Sequence, residues 1–537
     1  MKDYLKIGKA TELEGGDKRL YRFFEILPGF LSWGTLLGLI ILSYLKPVWV
    51  AYFIILFDIY WLLLVLYLGV HLIVSFSRMQ KHRKMDWLSK CKDLEAGNID
   101  DLPSNSLARK GVSYKDVRHL IIIPFVLEGY DILKATFQAI IDDPFDEKQM
   151  IVVLASEGRA GNKAQETAKR IEQEFAGYFD RFLITVHPDG IEGEIKGKGA
   201  NQAWAAKEVK EKIIEKEGYN EDDLLVSVFD SDTVVYSGYF ACLTYLFLTV
   251  PDPYRASYQP IPLYHNNIWE VPFFSRVAAS SNTFWQMMQQ IRVEKLATYS
   301  SHSMTWKALL DVGFWSTSMV SEDSRIFWHC FCYYNGNYRV VPMYFPISMD
   351  SIEVENTWTT LKGLYKQQRR WGWGVENLPY LFFNAIKRWK NIPKAKFLGR
   401  IWVQIHGFHS WATNALIIAL IGWMPLILGG DNFKATVLSG NLPVVTRTLM
   451  TLAMSGLLLS AIMSTLLMPP KPKKFGFFKR VLILLEWLLL PLSIVIFGTF
   501  PAIDSQTRLM LGKYMGFLVT PKGKSGEYET KEINAAD

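Results

Sequence analysis

Asp230 and Asp232, separated by one serine, close an apolar run, Leu-Leu-Val-Ser-Val-Phe, at positions 224–229. A run of that length, rich in branched and aromatic residues, reads as a buried β-strand. Side chains at i and i+2 of an extended segment point the same way. The spacing therefore predicts both carboxylates facing one hard cation at the carboxyl end of a sheet strand, where open α/β sheets bind ligands. The plainer alternative is a solvated turn after a strand.

Four further stretches carry groups suited to the same chemistry. Lys198-Gly199-Ala200-Asn201 follows several glycines and opens a predicted helix, so backbone N–H groups and an ammonium converge as a phosphate cradle. Ser321-Glu322-Asp323 sets two carboxylates behind Gly313-Phe314-Trp315. Gln367-Gln368-Arg369-Arg370-Trp371 places a guanidinium beside an indole, a pair that suits an anion and a sugar ring but equally a snorkelling interfacial helix. Phe517-Leu518-Val519-Thr520-Pro521-Lys522 lies near the C-terminus.

The elements that must position these groups are legible around them. Residues 120–124 and 149–154 are short apolar runs suited to buried parallel strands, with a helical pattern over 131–142 between them. Residues 181–186 supply another strand and 199–217 a long helix that leads back to the strand ending at Asp230. Strands and helices alternating in this way predict a doubly wound, mostly parallel α/β sheet. From 254 to 345 the chain turns aromatic and irregular. Trp269, Trp285, Trp306, Trp315 and Trp328 there suit either a sugar-stacking surface or an aromatic core.

Composition sets the class. Half the residues are hydrophobic, 14% aromatic and 21% charged, because polar stretches alternate with runs long enough to cross a bilayer, at 30–45, 48–76, 402–428, 444–468 and 481–500. The net charge of +7 is spread along membrane flanks rather than gathered in a patch for nucleic acid. Lys18, Arg19 and Arg22 precede the first run, and Arg78, Lys81, Arg83 and Lys84 follow the second. The long polar middle is thus expected in the cytoplasm. Cys330-Phe331-Cys332 lacks zinc-knuckle spacing and reads as ordinary buried thiols. The expected division is a tail (1–29), two spanning helices (30–76), an amphipathic linker (77–116), the α/β domain (117–350), interfacial helices (351–401), C-terminal apolar segments (402–500), and a final helix, motif and tail (501–537). Pro491 is expected to fold the last apolar segment into a re-entrant hairpin, which keeps the C-terminus on the cytoplasmic side.

Together and in this order the motifs resemble those of the membrane-embedded family 2 glycosyltransferases, the group of cellulose, chitin and hyaluronan synthases. The resemblance implies a GT-A-like nucleotide-sugar domain embedded in a transmembrane bundle. It implies Asp230 and Asp232 as ligands of Mg2+ or Mn2+ on the donor diphosphate, Asp323 as catalytic base, and Gln367, Trp371 and Glu322 on the acceptor side. Glu128, Glu157, Lys198, Arg370, Thr520 and Lys522 fall on the donor side, and Phe517 to Lys522 match a mobile loop of cellulose synthases. Two departures stand out. Such enzymes usually carry an Asp pair after the second strand, where this chain has Ala155-Ser156-Glu157, so Glu157 takes that place. A Cys-Gly-Thr-like stretch is replaced by Ser300-Ser301-His302-Ser303.

The expected activity is inverting transfer of a hexose from a nucleotide sugar, UDP-linked by the resemblance, to a growing polysaccharide that is exported across the cell membrane. The alternatives are one sugar moved to a polyprenyl phosphate or other lipid, or a non-catalytic transporter or scaffold. Few ionisable residues in the runs, chiefly His406, His409 and Glu486, weigh against transport.

Overall fold

The computed structural model describes residues 4–98, 102–353, 356–470, 472–473 and 476–516. Its centre is one mixed sheet of β1 (Arg118–Pro124), β2 (Met150–Glu157), β3 (Arg181–His187), β4 (Leu224–Val228), β5 (Val234–Val235), β6 (Ala256–Leu263), β7 (Ser303–Thr305) and β8 (Arg339–Ser348). The order is β3-β2-β1-β4-β7-β6-β8-β5. β3, β2, β1 and β4 run parallel, and β7 enters antiparallel between β4 and β6.

Alternate residues of β1 explain its unbroken apolar run. Ile121 and Ile123 join one core with Phe137, Ile140 and Ile171, whereas Leu120 and Ile122 join the opposite core with Ala203, Ala206 and Val209. Burial on both faces removes the polar alternation that a half-exposed strand shows. Ile122 aligns with Val153 on one side and Val228 on the other, so β1, β2 and β4 finish together and their loops share one sheet edge.

The helix predicted over 199–217 is present as Lys198–Val209, a π-turn at Lys210–Ile214 and Glu215–Glu217, stopped by Gly218 at φ 72°. The region read as irregular is ordered. It holds β6, β7, β8 and the helices Phe273–Ile291, Trp306–Val312 and Glu322–Tyr333. Trp269, Trp306, Trp315 and Trp328 are core side chains, and only Trp285 of that set is exposed. All four cysteines are buried and free.

Among the described residues four helices are long and apolar enough to cross a membrane: Gly15–Leu45, Pro47–Lys84, Val437–Leu467 and Val481–Met510. Lys394–Ala419 and Ile421–Leu428 make a fifth candidate, bent by 46°. Two sequence expectations are corrected here. The run 402–428 is not straight but breaks at Leu420. Conversely, Pro491 makes no hairpin, because a 3-10 turn at Trp487–Leu489 precedes it and a π-turn at Ile494–Thr499 follows it. Proline placed at the start of a helical segment has no N–H to lose, and such local adjustments re-satisfy the freed backbone groups while the chain keeps its direction.

Candidate active site

Asp230-Ser231-Asp232 is a turn rather than an extension of β4, since Thr233 N–H donates to Asp230 O at 2.9 Å. The prediction that i and i+2 side chains point alike assumed an extended backbone, and the turn separates their surroundings. Asp230 stays partly open and accepts Ser300 Oγ at 2.5 Å. Asp232 is buried, and its Oδ2 accepts Asp350 N–H at 3.1 Å. Glu128, at the end of β1, braces the same turn. Its Oε1 accepts Ser231 Oγ at 2.9 Å and its Oε2 accepts Val126 N–H at 2.7 Å.

Lys198 draws three of the motifs together. Its Nζ lies 2.7 Å from Asp230 Oδ1 and 3.0 Å from Asp323 Oδ1. Burial opposes its charge, but Asp230 and Asp323 outweigh that and hold its pKa above the usual lysine range. Gly199 permits the approach: a Cβ there would come within 2.8 Å of Ser316 O and 3.0 Å of Glu322 Cβ. Glu322 is buried, and burial with Asp323 beside it raises its pKa, against the pull of Lys198 and Arg370. The two acids of Ser-Glu-Asp are thereby set apart, Asp323 paired with an ammonium and Glu322 favouring its neutral form.

Helix Thr357–Gly372 carries Gln367, Arg370 and Trp371. Gln367 is half-buried one turn before Trp371, whose ring centroid lies 6.2 Å from that of Tyr264. Glu157 ends β2 with its Oε2 2.5 Å from Arg159 Nε, while its Oε1 and Arg159 Nη2 are buried without a hydrogen-bond partner. Both line an open cleft with His187, Asp189, Glu194 and Lys196. Thr520 and Lys522, with the rest of 517–522, lie outside the described residues.

No group of three or more His, Cys, Asp or Glu side chains that could hold a metal occurs among the described residues. The two aspartates still suit a hard divalent ion, because Mg2+-type sites commonly use one or two carboxylates and fill the remainder with substrate phosphate and water. The ammonium of Lys198 on Asp230 is a cation already accepted at that position. Ser300, from the stretch that stands in place of Cys-Gly-Thr, orients Asp230, and sequence reasoning missed Glu376, whose contacts with Ser321 are described below.

A family model described as glycosyl transferase family group 2 matches residues 225–497, about half of the chain. The chain belongs to that family. The transferase is also similar to solved structures: a mannosyltransferase, PcManGT from Pyrobaculum calidifontis, in complex with GDP-Man and Mn2+, has 11% identity and a TM-score of 0.39, covering 74% of this chain and 99% of that one. TarS from S. aureus in complex with UDP-GlcNAc has 10% identity and a TM-score of 0.33, covering 65% and 91%. No curated protein matches the transferase in sequence. Its α/β domain and long apolar helices make it a glycosyltransferase with candidate membrane spans.

Proposed function

We propose that the protein is an inverting hexosyltransferase that takes a nucleoside diphosphate sugar, UDP-linked, and extends a polysaccharide. The observation that carries this reading is the bridge of Lys198 between Asp230 and Asp323, which supports a diphosphate site and a base within one ammonium's reach of each other. Asp323 accepts the proton of the acceptor hydroxyl as that oxygen bonds to the anomeric carbon and the carbon's bond to the diphosphate breaks. Asp230 and Asp232 would hold Mg2+ or Mn2+, which when bound neutralises charge on the leaving diphosphate. Lys198 and Arg370 add positive charge from the chain itself. The cleft at Glu157 and Arg159, beyond the carboxyl end of β2, suits the nucleobase. Trp371 stacks the acceptor sugar.

Polymer export is favoured by where the acceptor motif sits. Gly372 packs on Ala502 and Ser505 of the last apolar helix, and Ser505 Oγ donates to Arg369 O at 2.6 Å. An acceptor leaving Trp371 thus meets the helical bundle at once. With basic flanks on the first two helices, the α/β domain is assigned to the cytoplasmic face of the cell membrane. Incubating the purified protein with single nucleotide sugars, measuring nucleotide release and sizing the product tests the reading. Long chains from one donor are expected. A single labelled lipid would establish the alternative of one transfer to a polyprenyl phosphate, and release from no nucleotide sugar would overturn both.

A further inference from the structure

Glu376 lies five residues beyond Trp371, in the turn Trp373–Glu376, and is buried. Its carboxylate takes three donors. Oε1 accepts Ser321 N–H at 2.9 Å and Ser321 Oγ–H at 2.6 Å, and Oε2 accepts Trp373 Nε1–H at 2.8 Å. Ser321 is the N-cap residue of Glu322–Tyr333, and its own side chain makes no cap bond to that helix. Its hydroxyl and N–H point instead across the seam to Glu376.

The seam is closed from the other side as well. Arg325, also buried, donates from Nε to Asn377 Oδ1 at 2.8 Å and from Nη2 to Glu376 O at 3.3 Å, and lies 3.9 Å over the Tyr380 ring. Asn377 Nδ2 donates to Ser324 Oγ at 2.9 Å. Within 321–325, therefore, Ser321, Ser324 and Arg325 bond to the segment after Gln-x-x-Arg-Trp. Asp323 is left facing Lys198, and Glu322 packs against Gly199. Buried charged side chains are costly unless fully satisfied, so three donors on one carboxylate and a matched guanidinium mark a seam built to hold one geometry.

We propose that Glu376 is a positioning residue: through Ser321 it fixes the helix start that aims Asp323, and it makes that helix and the Gln-x-x-Arg-Trp helix one rigid unit. The inference rests on Asp323 being the base. Small displacements of a reacting group cost about 10²-fold in rate, so Glu376→Ala is expected to lower kcat by about 10- to 100-fold. Donor KM and nucleotide binding should stay within about 2-fold, because the Glu376 carboxylate bonds to Ser321 and Trp373 and not to Asp230, Asp232, Lys198 or Arg370. Glu376→Gln retains an acceptor for Ser321 and should recover most of kcat. Ser321→Ala removes only the hydroxyl, so it serves if Glu376→Ala does not fold. It should lower kcat by about 5-fold, the scale of one hydrogen bond, and add little to Glu376→Ala when both are combined.

The measurements use the full chain in detergent or nanodiscs, with Asp323→Asn in parallel. A folded Glu376→Ala or Ser321→Ala protein with wild-type kcat, or a loss carried by donor KM, overturns the positioning role while Asp323→Asn is impaired. Wild-type kcat in Asp323→Asn overturns the base assignment and the inference with it.

Discussion

Lys198→Met keeps most of the side chain's length and removes its charge, so it isolates what the ammonium does between Asp230 and Asp323. That charge lies 2.7 Å and 3.0 Å from the two carboxylates, on a lysine side chain only 11% exposed. At an effective dielectric near 20 each contact is worth about 5 to 6 kcal/mol of gross attraction, set against several kcal/mol for taking the ammonium out of water. Removing one partner of such a group costs about 3 to 5 kcal/mol, because the carboxylates left behind are unpaired and repel. Thermal unfolding of the purified protein should show the loss as a melting point lower by about 3 to 4 °C. A divalent ion supplies the missing charge on Asp230, so added Mg2+ or Mn2+ should raise the mutant's melting point by more than the wild type's. Equal melting points with equal metal responses would refute the bridge as the force that gathers these motifs.

The remaining predictions address base, metal and pH. Asp323→Asn should bind nucleotide sugar normally yet transfer about 10²-fold more slowly or worse; wild-type transfer would pass the base role to Glu322. Chelation with EDTA, or Asp232→Ala, should abolish nucleotide release, and full turnover after exhaustive dialysis against EDTA would exclude a required ion. Asp143 is buried and accepts N–H from Phe145, Gly238 and Tyr239, yet burial outweighs those bonds and pushes its pKa up to about 6 from 3.8. A raised carboxyl pKa means the folded protein holds the proton more tightly. Its contribution is therefore full below about pH 4 and is lost as pH rises through 6, by about 3 kcal/mol in all. Stability of Asp143→Asn relative to wild type should rise across that window, and a flat difference would refute the shift.

The parallel half of the sheet was legible because strands buried on both faces leave unbroken apolar runs. The motif cluster was legible because its residue types are uncommon together. The turn at Asp230-Ser231-Asp232 was not, since a period of two holds only while the backbone stays extended, and one hydrogen bond from Thr233 ends that. β7 is three residues long, too short to announce itself, yet it sets an antiparallel strand between β4 and β6. Glu376 gave no signal beyond an acid among apolar neighbours. Asp58, buried in Pro47–Lys84, was passed over because one carboxylate barely lowers the hydropathy of a long run. The break expected at Pro491 rested on the proline, whereas the bend lies at Leu420, where no proline marks it.

The apolar helices are tied to one another and to the α/β domain at specific contacts. Lys394–Ala419 leaves the α/β domain at Arg400, which donates to Leu296 O, and the bent pair finishes at Gly429, where a Cβ would come within 2.9 Å of Pro47 at the turn between the first two helices. Val437–Leu467 returns beside Pro47–Lys84, with Gly456 against Val65, Gly69 against Leu459, and Ser464 next to Ser280 of the domain. Small residues allow such close helix contact. Val481–Met510 follows as one continuous helical segment, anchored by ion pairs near its start and near its end. Near its start Glu486 pairs with Arg276 at 2.8 Å, and near its end Asp504 pairs with Arg369 at 3.1 Å, while Val495 and Ala502 pack with Leu36 and Ala412 among the other helices. Met515 packs with Val320 and Trp373, three residues before Asp323 and two after Trp371, and Tyr514 donates to Glu25 near the start of the first helix at 2.8 Å. Residues 514–515 and the first helix thus meet beside the seam that holds the proposed base.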